Sequence, residues 1–110
     1  MTKLEFSENV SAICKRPAAY TLHGTLPEVI AHLDGLGKGL GIQPGSHWGM
    51  SGFFEWLAKK LGEKTTRGDE LLLSLGDEET AFRELARLYR EYAQLEAVSE
   101  ANKSSDQNGD

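Results

Sequence analysis

Residues 47–61 constrain the fold of this chain more than any other segment. The run His47-Trp48-Gly49-Met50-Ser51-Gly52-Phe53-Phe54-Glu55-Trp56-Leu57-Ala58-Lys59-Lys60-Leu61 holds both tryptophans and two of the four phenylalanines. Met50, Phe53, Phe54, Leu57 and Leu61 recur at three- and four-residue steps, the spacing of an amphipathic helix with one buried stripe. Lys59 and Lys60 suit the negative end of the helix dipole, and Gly62 stands where a left-handed cap is expected. The centre of the fold is therefore expected here.

The remaining helices follow from caps and periodicity. Thr25-Leu26-Pro27-Glu28 has the form of a capping box, with Pro27 in the first turn, and predicts a helix from Leu26. Leu26, Val29, Ile30, Leu33, Leu36 or Gly37, and Leu40 give it an apolar face, while Gly35, Gly37, Gly39 and Gly41 weaken its far end or let another helix pack close. An earlier helix is expected to start at Ser7 as N-cap and to carry Val10, Ile13 and Cys14. Pro17 ends it by Arg16, leaving residues 17–23 as an extended or irregular connection whose Tyr20 and Leu22 dock on the core. Residues 42–46, with Pro44 and Gly45, read as a turn.

Beyond the polar stretch 63–68, Leu71-Leu72-Leu73 with Leu75 fits a short strand or a helical turn or two, and leucine favours the helix. Asp77 caps the longest helix, whose stripe of Phe82, Leu85, Leu88, Tyr89, Tyr92 and Leu95 runs to about Val98. On its charged face Glu79 with Arg83, and Arg87 with Glu91, have the spacing of ion pairs. Residues 100–110 have no apolar stripe and are expected to form a disordered polar tail. The expectation is an all-α, compact bundle of about four helices: one domain over residues 1–99, with a tail.

Composition narrows the function classes. A chain of 110 residues, 39% hydrophobic and 26% charged, fits one globular domain. Seventeen acidic residues against 12 Lys and Arg give a net charge of −5. That balance argues against nucleic acid, whose binding needs clustered cations, and for attraction to a basic protein surface. The single cysteine, Cys14, excludes an internal disulfide and fits a reducing compartment. With no signal-peptide pattern at residues 1–8 and no long apolar run, a cytoplasmic chain that spans no membrane is expected.

No spacing specifies a catalytic, cofactor or metal site. The glycine run 35–41 lacks a glycine at Leu40 for a dinucleotide loop and a Ser or Thr after Lys38 for a Walker loop. His23, His32 and His47 have no metal-ligand spacing, and Cys14 sits on an apolar stripe as a packed core thiol. Tyr20, His23 and His47 remain the candidates for a small-ligand site. The acidic groups Asp69-Glu70 and Asp77-Glu78-Glu79 open helices, where capping accounts for them and where they can also face a partner. Trp48 and Trp56 fall about 80° apart around a helix. Trp56 lies off the main stripe, so either both tryptophans complete the core or Trp56 stands partly exposed as a partner anchor.

Arg16-Pro17-Ala18-Ala19-Tyr20, Leu33-Asp34-Gly35-Leu36, Phe53-Phe54-Glu55-Trp56-Leu57-Ala58-Lys59-Lys60-Leu61-Gly62, Ala81-Phe82-Arg83-Glu84-Leu85 and Tyr89-Arg90-Glu91-Tyr92 occur in this order. The pattern, covering roughly residues 10–92, resembles a group of small bacterial proteins with RP-x-x-Y and F-x-x-W motifs. Ala18 and Ala19 stand where many of these carry Gly-Met. The group is similar to immunity proteins of bacterial toxin systems, and the resemblance implies a small acidic protein that binds another protein; it transfers no catalytic residue to this chain. The expected function is thus inhibition of a basic toxin or effector through Asp69, Glu70, Asp77, Glu78, Glu79 and Trp56. The alternative is a self-associating module, such as a homodimer, in which Trp56 and the Gly35 to Gly41 face meet a second copy.

Overall fold

Phe6, Val10 and Ile13 recur at steps of four and three, and burial of this stripe sets where the first helix begins. In the computed structural model, which describes residues 3–39 and 50–108, helix α1 spans Lys3–Lys15. It starts a full turn before the expected cap at Ser7. Ser7 is buried inside the helix, and its hydroxyl donates to the Leu4 carbonyl at 2.6 Å. The reason is Phe6, which is wholly buried and packs edge-on against Tyr89 at 5.6 Å; the core requires that turn to be helical.

Pro17 ends α1 and also opens α2, Pro17–Tyr20, a single turn in place of the expected extended connection. Proline at the first helical position loses no hydrogen bond, since that N–H has no partner in a helix. Tyr20 and Leu22 do not dock on the core: they are 47% and 83% exposed.

Helix α3, Leu26–Gly39, begins at the expected residue. Only one half of the capping box forms. The Glu28 carboxylate accepts from the Thr25 N–H at 3.2 Å, but the Thr25 hydroxyl also donates to Glu28, at 2.8 Å. Instead, the Leu26 N–H donates to Glu78 at 3.1 Å. The start of α3 is thereby fastened to a residue 52 positions on in the chain.

Helix α4, Ser51–Leu61, buries Phe53, Phe54, Leu57 and Ala58. Gly62 adopts φ 70°, and the Glu63 and Gly62 N–H groups donate to the carbonyls of Ala58 and Lys59. This is the Schellman closure expected of a glycine at that position. Leu40, Gly41, the turn at 42–46, His47 and Trp48 lie outside the described residues.

The leucine run forms helix α5, Gly68–Leu73, with Leu71 and Leu72 buried, and no strand occurs among the described residues. Helix α6, Glu78–Asn108, starts at the expected cap, where Asp77 accepts the Thr80 N–H at 2.8 Å. It continues to Asn108, past Val98 and through most of the region expected to be a disordered tail. A helix already nucleated gains one hydrogen bond for each residue it adds, so it outlasts its apolar stripe. Leu95 belongs to that stripe by spacing, yet is 53% exposed.

The protein is thus all-α. α1 lies antiparallel along α6, with Lys3 over the Tyr92 ring at 5.0 Å and Phe6 on Tyr89. Phe53 joins α4 to the same seam, 5.1 Å from Tyr89 and 5.6 Å from Tyr92. This aromatic junction and the leucines of α3 and α5 form one core.

Candidate functional site

Four acidic residues sit in the first turns of α5 and α6, where the free N–H groups favour negative charge. At α5 the neighbouring Arg67 reaches Asp69 at 3.2 Å and Glu70 at 3.5 Å, and the Thr65 hydroxyl donates to Glu70 at 3.2 Å. Arg67 is 69% exposed, so these are surface pairs and weakly held. Both carboxylates remain open to a stronger cation.

At α6 the acids divide by task. Asp77 is the cap: the Thr80 N–H and hydroxyl, with Arg83 nearby, hold its carboxyl below the usual range. Glu78 accepts the Leu26 N–H and so joins two helix starts. Glu79 is exposed and makes neither contact. The ion pairs expected further along are rearranged: Arg87 donates to Glu84 at 2.8 Å, and Glu91 receives Lys60 of α4 at 3.2 Å. Tertiary packing brings Lys60 to Glu91, which spacing along α6 does not foresee.

The two acidic groups do not form one patch. Asp69 lines a cleft of about 590 Å³ between α3, α4 and the start of α5, whereas Glu78 and Glu79 line another of about 640 Å³ between α1 and α6. The first cleft has an apolar floor of Ile30, Met50 and Phe54, with Asp34, Glu55 and Asp69 around it and Arg67 as the cation. Asp34 is partly buried, which raises its pKa, but the Lys38 ammonium at 2.9 Å and the Met50 N–H at 2.9 Å outweigh that and lower it. Asp34 and Glu55 escape a reading based on helix starts. They lie mid-helix and reach the cleft only through the tertiary fold, which sets α3 and α4 on either side of it.

Trp56 is partly buried, stacked 6.0 Å from Phe53 and tilted 5.5 Å from Tyr92, with the Lys60 ammonium 5.4 Å above its ring. It finishes the aromatic junction at its solvent edge and does not line the acidic cleft. Cys14 packs against the core, and burial pushes its thiol up to about 12. The thiolate that nucleophilic chemistry needs is therefore scarce at neutral pH.

His23 and His32 are exposed; His23 Nδ1 lies 3.4 Å from Glu28, and the His32 ring lies 6.3 Å from Tyr20. Among the described residues no group of three His, Cys, Asp or Glu side chains could hold a metal ion, and no helix is long and apolar enough to cross a membrane. Comparison with protein-family models, with curated proteins and with solved structures finds no match to this chain.

Proposed function

We propose that this protein is a small binding domain for another protein, an inhibitor of the immunity or antitoxin kind directed at a basic effector. The observation that carries this reading is the cleft between α3, α4 and α5, where an apolar floor is bordered by Asp34, Glu55 and Asp69. Such a cleft suits a lysine or arginine side chain, whose aliphatic stem covers apolar surface while its head meets carboxylates. The net charge of −5 draws a basic protein toward the domain before contact. Asp69, Glu70 and Glu79 are the partner-facing acids in this reading, while Asp77 and Glu78 serve the fold.

The test is a pull-down with the tagged chain from its native cells at low salt, eluted by a salt step and analysed by mass spectrometry. The expected result is one stoichiometric basic protein, released by salt and lost with the Asp69→Lys/Glu70→Lys variant. Retention that salt and this variant leave unchanged would count against the reading.

A second reading keeps the domain as a self-associating module. Gly35 is exposed on α3 with open space where a Cβ would stand, so a second copy could approach its backbone closely. Light scattering at tens of micromolar separates the two, because a monomer is incompatible with self-association.

A further inference from the structure

The RP-x-x-Y segment contributes nothing to the acidic cleft, and its position on the surface calls for another explanation. Leu22 is 83% exposed, more than any other large apolar side chain among the described residues, and Tyr20 is 47% exposed. The loop that presents them is tightly bonded. The Thr21 hydroxyl donates to the Pro17 carbonyl at 3.0 Å and accepts the Gly24 N–H at 2.8 Å. Glu28 accepts the His23 N–H at 3.2 Å. Gly24 stands at φ 68°, where an added Cβ would press on the Ala18 backbone at 3.0 Å. An apolar side chain displayed on a backbone fixed in advance loses little further freedom when it is covered.

Beside Tyr20 runs a groove of about 410 Å³ along the outer face of α1, lined by Lys15, Arg16 and Arg90 and by a single carboxylate, Glu8. These three cations have no ion pair with any described residue, whereas Lys38, Lys60, Arg67 and Arg87 all do. In a chain with acid in excess, unpaired cations beside an exposed tyrosine, with an exposed leucine two residues further along the same loop, form a local surface opposite in sign to the whole molecule.

We propose that this surface docks an acidic segment of a partner protein, its carboxylates on Lys15, Arg16 and Arg90 and an apolar side chain against Tyr20 and Leu22. Nucleic acid is a poor occupant, because three cations on a domain of net charge −5 neutralise few phosphates and Leu22 gains nothing from a sugar-phosphate chain. The surface shares no residue with the cleft between α3, α4 and α5, although Lys15 and Arg90 also line the α1–α6 cleft that holds Glu79. The pull-down with the Asp69 and Glu70 variant reads the first cleft and the peptide test reads this surface, so failure of one is distinguishable from failure of the other.

The test pans a phage-displayed random peptide library on the full chain and counter-pans it on Lys15→Glu/Arg16→Glu/Arg90→Glu. An enriched peptide is then synthesised and titrated into the isotope-labelled protein by NMR. The expected peptides carry Asp or Glu next to Leu or Phe and shift the amides of residues 8–23. Leu22→Ser, whose side chain is too exposed to disturb folding, weakens them about tenfold. No enrichment over the charge-reversed variant, enrichment of basic peptides, shifts confined to other residues, or a self-associated bait would each overturn the proposal.

Discussion

Asp34 shows how one side chain can join distant parts of a small domain. Its carboxylate holds the Lys38 ammonium one turn further along α3 and the Met50 N–H just before α4, so it fixes where the tryptophan helix starts relative to α3. Its pKa is lowered in the fold, so the stabilisation is fully present above the unfolded value of about 4 and is lost as pH falls through the folded value. The wild-type urea midpoint should therefore fall more steeply than that of Asp34→Asn between about pH 5 and pH 2. Asp34→Asn should also be less stable at pH 7, by about 1–2 kcal/mol, since it loses a charge-assisted bond. Equal slopes for the two proteins would show that neither Lys38 nor the Met50 N–H holds the carboxylate in solution.

At the scale of elements, helices with a strong stripe and a chemical stop were legible in the chain. The start of α3 at Leu26, the end of α4 at Gly62 and the cap of α6 at Asp77 each rest on one residue whose chemistry fits only that place. Where the deciding force was tertiary, the local signal misled. Ser7 has a cap's chemistry, but Phe6 needs the preceding turn for its place on Tyr89. Pro17 looks like an end and is also a beginning. The leucine run 71–75 was undecided by period, and its helix depends on a glycine whose role is packing. Gly68 opens α5 against the Phe54 ring, and a Cβ there would fall inside the ring's van der Waals envelope. Gly68→Ala should thus destabilise the protein by about 1–3 kcal/mol in chemical denaturation. A co-substitution Phe54→Leu should recover part of that loss, whereas a neutral Gly68→Ala would place α5 further from α4 than described.

The whole molecule is elongated, with extents of 53 × 29 × 20 Å, because α6 outruns its neighbours. α1 begins beside Tyr92, and further along α6 Leu95 and Val98 are 53% and 58% exposed, so this stretch adds length more than core. Truncation after Val98 should leave the melting midpoint within about 2 °C, given that 1 kcal/mol moves a domain of this size by roughly 4–8 °C. The same truncation should shorten the maximum dimension in small-angle scattering by about 15 Å, at 1.5 Å per residue. A large fall in the midpoint would mean that the end of α6 folds back onto the domain. The candidate site was less legible than the fold for a reason that also belongs to this scale. Clefts are made by helices from separate parts of the sequence, so Asp34, Glu55 and Asp69 meet only in three dimensions. Helix-start chemistry finds Asp69 but says nothing of its neighbours.

The pairing of α1 with α6 also sets an order of events during synthesis. α1 leaves the ribosome first and its main partner leaves last, separated by more than sixty residues. At roughly 5–20 residues per second this is an interval of several seconds. Throughout it Phe6, Val10 and Ile13 have no seam to enter. The domain therefore closes its α1–α6 seam only once Tyr92 has left the ribosome, and until then the apolar stripe of α1 lacks its main partner.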